Sequence, residues 1–169
     1  MTFKEEKLVL FVADLAGFAR ATAALDALGV ADFLADWYAR CDRVMSAHGG
    51  DIVKLMGDAC FATFPEDAAS RAIDAAVALR GESCALANAR GARVDLGANV
   101  HLAVVAAGVL DIGGQKRRDV FGSAVNHLFR MGSSPGVRIS EPVYRQLESD
   151  RRGPWRKEKP PATYTLRNT

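Results

Sequence analysis

The sequence predicts an α+β fold: a mixed sheet with helices packed on it. Three observations carry that prediction. Residues 8–13 form a continuous apolar run, as a buried central strand requires. Asp51–Met56 and residues 59–64 are extended runs joined through Gly57-Asp58, a strong tight-turn signal. Elsewhere helical and extended patterns alternate, and a hairpin set inside such alternation implies a mixed sheet.

Taken in order, the first strand ends at Asp14 and Gly17 marks a turn. The Ala-rich stretch 18–28 is expected to be helical, since alanine has the highest helix propensity. A longer helix is expected from about Val30 to His48. Phe33, Leu34, Trp37, Cys41, Val44 and Met45 recur there at steps of three and four and form one apolar stripe. His48-Gly49-Gly50 ends it. After the hairpin, Pro65-Glu66-Asp67 is expected to open a third helix, with its acidic residues in the first turn where the dipole favours them. That helix runs to about Arg90. Residues 94–110 read as two strands, or as one with a break near Ala106-Ala107-Gly108. Residues 113–118 read as a polar loop. Asp119-Val120-Phe121-Gly122 leads into a helix through Met131. Residues 137–140 form a short strand, and Ser140 caps a last helix over 141–147. Trp155 and Tyr164-Thr165-Leu166 fit a terminal hairpin. With no repeat, low-complexity tract or long linker, residues 1–169 are expected to form a single domain.

The formal charge of +2 is too near neutral to argue for nucleic acid or an anionic membrane as main partner. The basic excess is local, in Lys116-Arg117-Arg118, Arg151-Arg152 and residues 156–159, and such runs are usually solvated surface. Cys41, Cys60 and Cys84 show neither metal-ligand spacing nor an even count, which points to a reducing compartment. The first residues are polar and of both signs, unlike a signal peptide. No apolar stretch is long enough to cross a bilayer. A cytoplasmic protein is expected.

Two aspartates stand out. Asp14 ends a buried strand and Asp58 sits on a tight turn. Alone, each reads as a helix cap or turn former. Together they are more specific, because a strand end places a carboxylate at the sheet's rim and a hairpin from the same sheet can bring a second beside it. Two hard anionic ligands suit Mg²⁺ or Mn²⁺ with a polyphosphate, and two such ions can activate an attacking hydroxyl and neutralise a leaving phosphate. Gly17 lets the backbone turn closely, and amides at the start of the following helix are a ready anion site; the plainer reading is an ordinary strand-to-helix turn.

Phe11-Val12-Ala13-Asp14-Leu15-Ala16-Gly17-Phe18 resembles the first metal motif of class III nucleotidyl cyclases. Val53-Lys54-Leu55-Met56-Gly57-Asp58-Ala59 resembles their second. Asp119-Val120-Phe121-Gly122-Ser123-Ala124-Val125-Asn126, with Arg130 four residues on, resembles their third. The likeness spans about residues 9–164, and three motifs in order are far more specific than one. It implies a ferredoxin-like sheet and an enzyme that closes ATP into 3′,5′-cyclic AMP and pyrophosphate, in sites shared across a head-to-tail homodimer. Asp14 and Asp58, with the Leu15 backbone, would hold two Mg²⁺ or Mn²⁺ ions, and Gly17 and Phe18 would face the phosphates. The partner copy would supply Lys54 and Asp119 to read the base, Asn126 to orient the ribose and Arg130 to meet charge growing on phosphorus.

These roles suit the chemistry. Ring closure needs metal activation, positioning and a cation rather than a protein nucleophile. Arg130 stays charged and can fork onto phosphate oxygens; otherwise it is a solvated helix arginine. Asn126 lies in an apolar stretch and, if buried, would need a partner such as a ligand. Lys54 can donate to the adenine edge and Asp119 can accept from its exocyclic amine, a pairing that in this family goes with ATP. The plainer reading of Lys54 is an edge-strand lysine that blocks aggregation. Two departures stand out. His101-Leu102-Ala103 has alanine where many relatives have glycine. The segment Trp155-Arg156-Lys157-Glu158-Lys159-Pro160 lacks the Lys-Gly pattern of the phosphate-gripping lysine, which leaves Arg156, Lys157 and Lys159 as candidates, with Lys157 as the working assignment. Alternatives are a cyclase of GTP or a pyrimidine triphosphate, a cyclase-like domain that only binds a nucleotide or a protein, and an interaction domain with no ligand. His48-Gly49-Gly50-Asp51 resembles the diguanylate cyclase motif, but lies off the hairpin turn where those enzymes carry it.

Overall fold

The computed structural model describes residues 2–158 and 162–167. One eight-stranded mixed sheet organises the chain, in the order β2 (Asp51–Met56), β3 (Ala59–Pro65), β1 (Thr2–Ala16), β4 (Asp95–Ile112), β6 (Gly136–Ser140), β8 (Thr163–Leu166), β7 (Trp155–Glu158), with β5 (Gln115–Phe121) also paired to β4. Strand β1 (Thr2–Ala16) lies between β3 (Ala59–Pro65) and β4 (Asp95–Ile112), antiparallel to both. The central position expected from its apolar run is therefore the observed one. Strand β6 (Gly136–Ser140) is parallel to β4, and β7 (Trp155–Glu158) and β8 (Thr163–Leu166) form the terminal hairpin.

Side chains of β1 alternate between two cores. Val9, Phe11, Ala13 and Leu15 face α2 (Ala27–His48) and α3 (Ala69–Arg90), where Phe33, Trp37, Cys41, Ala72, Ala76 and Leu79 complete one cluster. Leu8, Leu10 and Val12 face the other way, with Phe61, Val105 and Val120, and α4 (Ser123–Arg130) covers them through Leu128. Asp14 follows the even-numbered positions and so opens on the α4 face.

Several boundaries differ from expectation. The helix expected over 18–28 is only α1 (Phe18–Ala21). Asp26 then caps α2 through the Gly29 amide at 2.8 Å, so Ala27 and Leu28 belong to the long helix instead. Pro65-Glu66-Asp67 precedes α3 without entering its first turn. Residues 95–112 form one unbroken strand, and the expected polar loop is a Gly113-Gly114 turn followed by strand β5 (Gln115–Phe121). Pairing to β4 satisfies that basic segment's backbone despite its polar composition. Ser140 stands at the start of α5 (Glu141–Gln146), but its hydroxyl makes no capping bond. A short helix, α6 (Ser149–Arg152), had no sequence signal. No helix among the described residues is long and apolar enough to cross a membrane.

Candidate active site

The hairpin between β2 (Asp51–Met56) and β3 carries Asp58 to the end of β1. Gly57 adopts φ 59°, the left-handed conformation that glycine accepts without penalty. The turn is held from below by helix α2: Trp37 Nε1 donates to the Asp58 carbonyl at 2.8 Å, and Tyr38 Oη donates to the Gly57 carbonyl at 2.6 Å. The Asp58 carboxylate accepts from the Leu15 amide at 3.0 Å. That bond locks the tip of the hairpin onto the strand bearing Asp14, so the sequence-predicted pair does meet.

Asp14 sits opposite Gly97 of β4. A side-chain carbon on Gly97 would stand 2.6 Å from Asp14 Oδ1, so the glycine makes room for the carboxylate. Burial, and then the Asp58 carboxylate, push the Asp14 pKa up, while Arg138 and a bond to its own backbone pull it down. Two carboxylates within electrostatic reach of each other could be bridged by a divalent cation. Among the described residues no cluster of three or more His, Cys, Asp or Glu offers a closed metal cage. Asp14 and Asp58 are two hard oxygen donors of the kind that could hold Mg²⁺ or Mn²⁺ together with phosphate and water. Gly17 has φ 92° and an added side-chain carbon would meet the Arg93 carbonyl at 2.8 Å, so the turn after β1 requires glycine. Phe18 is anchored on Phe33, ring centroids 5.8 Å apart.

Lys54 and Asp119 form a second group. A bulge between Ile52 and Lys54 re-aims the edge strand, and Lys54 Nζ lies 2.6 Å from Asp119 Oδ2. Asp119 is buried, with Oδ1 accepting from the Val120 amide at 2.8 Å. Their neighbourhood opens as a cavity of about 440 Å³ lined in part by Leu55, Met56, Leu110 and Ile112. Asn126 and Arg130 lie one helical turn apart on α4, both exposed and, among the described residues, without a side-chain hydrogen bond or ion pair. Asn126 is exposed rather than buried, and Leu128 is the residue of α4 that turns inward. Among the described residues no hydrogen bond or ion pair joins this group to Asp14 and Asp58.

Lys157 is not brought to the Asp14 face. It alternates with Arg156 on β7, lies 3.6 Å from Glu141 Oε2 and packs on the Tyr164 ring. Bonding to Tyr164, then the Glu141 charge, raises its pKa. Arg156 is opposite Thr165, which is opposite Arg138, so register puts Arg156 on the face shared with Asp14. Lys159 lies outside the described residues.

Sequence reasoning missed Trp37, Tyr38, Gly97, Asn99 and Arg138. Trp37 reads only as part of an apolar stripe, and Gly97 gives no signal. Asn99 is buried and donates to the Leu128 and Gly132 carbonyls at 3.1 and 2.9 Å, tying β4 to the end of α4. Arg138 had a readable signal: a charged residue inside an apolar strand.

A family model described as adenylate and guanylate cyclase catalytic domain matches residues 3–161. Among solved structures, the adenylyl cyclase CyaB from P. aeruginosa superposes with a TM-score of 0.88 at 18% identity, covering 100% of this chain and 97% of that one. The guanylyl cyclase Cya2 gives 0.82 at 20% identity, covering 98% and 94%. The guanylate cyclase domain of RhGC from Catenaria anguillulae, in complex with GTP, gives 0.82 at 20% identity, covering 97% and 98%. Comparison with curated proteins gives no match.

Proposed function

The chain belongs to the adenylate and guanylate cyclase catalytic domain family, and from that premise we propose that it converts ATP to 3′,5′-cyclic AMP and pyrophosphate in two sites shared across a head-to-tail homodimer. One observation carries the reading. Asp58 is bonded to the strand of Asp14, while Asn126 and Arg130 stand exposed and uncommitted on another element. One copy therefore presents two half-sites, each suited to complete the other on a second copy.

In the reaction the ribose 3′-oxygen attacks the α-phosphorus, the bond to the β-phosphate oxygen breaks, pyrophosphate leaves and the hydroxyl proton passes to solvent. Bound divalent ions supply hydroxyl activation and charge neutralisation. Asp14 and Asp58 would hold them. Lys54 and Asp119 of the opposite copy exchange their mutual ion pair for contacts to the adenine edge, Lys54 donating and Asp119 accepting. Asn126 orients the ribose, which keeps the attack in line. Arg130 places a permanent charge beside the phosphorus centre as negative charge builds there. Arg156, on the Asp14 face, fits the phosphate-gripping role better than Lys157. Three free cysteines, two of them buried, suit a cytoplasmic setting.

The test is incubation with each of the four ribonucleoside triphosphates and Mg²⁺ or Mn²⁺, with product mass measured. Cyclic AMP as the main product is expected. No cyclic product from any triphosphate would sink the enzyme reading. Cyclic GMP would establish the guanylyl alternative, which the GTP-bound structural relative keeps in view; a pyrimidine product would overturn the base assignment in the same way. Mixing Asp14→Ala and Arg130→Ala chains should restore activity through one intact shared site. Two folded, dimerising mutants that stay inactive when mixed would refute site sharing.

A further inference from the structure

Arg138 is 8% exposed, on a strand whose five residues are all buried. A guanidinium keeps its charge and is costly to bury without partners. Nη2 donates to the Ser134 carbonyl at 2.7 Å and to the Ser134 hydroxyl. Nη1 is buried with no hydrogen-bond partner.

Register shows where this charge lies. Asp14 is opposite Gly97, Gly97 is beside Gly136, and Arg138 is two residues further along the same strand. Residues paired across a sheet share a face, and so do alternate residues of one strand. Asp14 and Arg138 therefore project from the same face, with β4 between them. The space above Gly97 brings them closer. One point there, the position of an added side-chain carbon, is 2.6 Å from Asp14 Oδ1 and 3.3 Å from the Ser134 carbonyl that Arg138 grips. Gly132 clears the other side, since a side-chain carbon on it would meet Arg138 Nε at 2.7 Å. Burial lowers the Arg138 pKa and raises that of Asp14, and against those shifts each group favours the other's charged form, with Glu158 also favouring the charged guanidinium.

We propose that Arg138 is the built-in counter-cation of the metal-binding aspartates, offsetting the Asp14 carboxylate charge before any divalent ion is present. The inference rests on the cyclase reading of Asp14 and Asp58. A phosphate-gripping role suits Arg138 less well, because Nη1 is buried and Nη2 is already committed to Ser134. As a counter-cation the guanidinium acts through space. Without nucleotide it offsets one of the two carboxylate charges and weakens binding of a bare divalent ion. A polyphosphate brings several negative charges of its own, and the same guanidinium then favours the assembled site. Divalent ions thus enter with the polyphosphate and are not resident. Arg138 is a positioning residue in this scheme.

The experiment measures Mn²⁺ binding to the nucleotide-free protein by calorimetry, and thermal stabilisation by Mn²⁺ with and without inorganic pyrophosphate. Arg138→Gln retains a donor for the Ser134 carbonyl and removes the charge, and should bind Mn²⁺ about tenfold more tightly than the wild type. Arg138→Lys retains the charge and should stay within about twofold of wild type. In the wild type, Mn²⁺ with pyrophosphate should stabilise far more than either alone, and Asp58→Asn should remove that effect. The proposal is overturned if Arg138→Gln binds Mn²⁺ no better than wild type, or if Arg138→Lys gains as much as Arg138→Gln. Should Arg138→Gln not fold, the wild-type arm still decides: micromolar or tighter Mn²⁺ binding without pyrophosphate refutes it. No response of the wild type to Mn²⁺ with pyrophosphate would defeat the cyclase reading of the site itself.

Discussion

Replacing Gly97 by alanine should separate catalysis from folding. The residue lies in a strand, and its backbone conformation is open to any side chain. The conflict is local: the new methyl would stand 2.6 Å from Asp14 Oδ1 and 3.3 Å from the Ser134 carbonyl. An ordinary carbon contact needs about 3.5 Å or more, so the Asp14 carboxylate must retreat by roughly 1 Å. Overpacking of this kind costs about 1–3 kcal/mol of stability. Displacing a catalytic group by about 1 Å can cost on the order of 100-fold in rate. Gly97→Ala should therefore melt cooperatively, a few degrees below wild type, and lose about 100-fold in cyclic nucleotide formation at saturating Mn²⁺ and triphosphate. Activity and thermal denaturation would be measured on the same preparation. Full activity would refute the claim that the room Gly97 leaves for the Asp14 carboxylate matters to catalysis. Loss of activity only in proportion to the unfolded fraction would show a folding effect instead.

Three further outcomes follow from particular contacts. Trp37→Phe keeps most of the buried ring but removes the donor to the Asp58 carbonyl; stability should fall by about 1–2 kcal/mol, and activity should drop further than in Tyr38→Phe, where the freed Gly57 carbonyl is reached by water. His101 is held neutral by burial and by His127, its pKa lowered from 6.5 to about 4. Its contribution is complete above pH 6.5, where neither state is protonated, and is lost as pH falls toward 4 because the unfolded chain takes up the proton first; His101→Phe should flatten denaturation midpoints measured across that interval. Gly81 lies within α3, and an added side-chain carbon there would meet nothing within 4 Å. Gly81→Ala should raise stability by about 0.5–1 kcal/mol with activity unchanged, and a lower melting temperature would contradict the helix assignment.

Much of the fold and of the site was legible along the chain, because local rules dictate it. The apolar run of β1, the three-four stripe of α2 and the Gly57-Asp58 turn each follow from periodicity or turn chemistry within a few residues. Failures arose where long-range pairing overrode local composition. Lys116-Arg117-Arg118 looks like a polar loop but is a strand, because β4 supplies its hydrogen-bond partners. The apolar neighbours of Asn126 leave its burial open, and only the packing of α4, which turns Leu128 inward, keeps it exposed. Lys157 and Arg156 are adjacent in sequence, and only the register of β7 against β8 decides which shares a face with Asp14.

The sequence by itself determined the fold class, the family resemblance and the identity of the two aspartates, since motifs and periodicities are properties of neighbouring residues. Tertiary structure alone decided that the Leu15 amide joins Asp58 to the strand of Asp14, that Gly97 clears space for a carboxylate, and that Arg138 lies within electrostatic reach of it. Those facts depend on strands β1, β4 and β6 lying side by side. They are distant in the chain, and no local pattern encodes the few ångströms that separate their side chains.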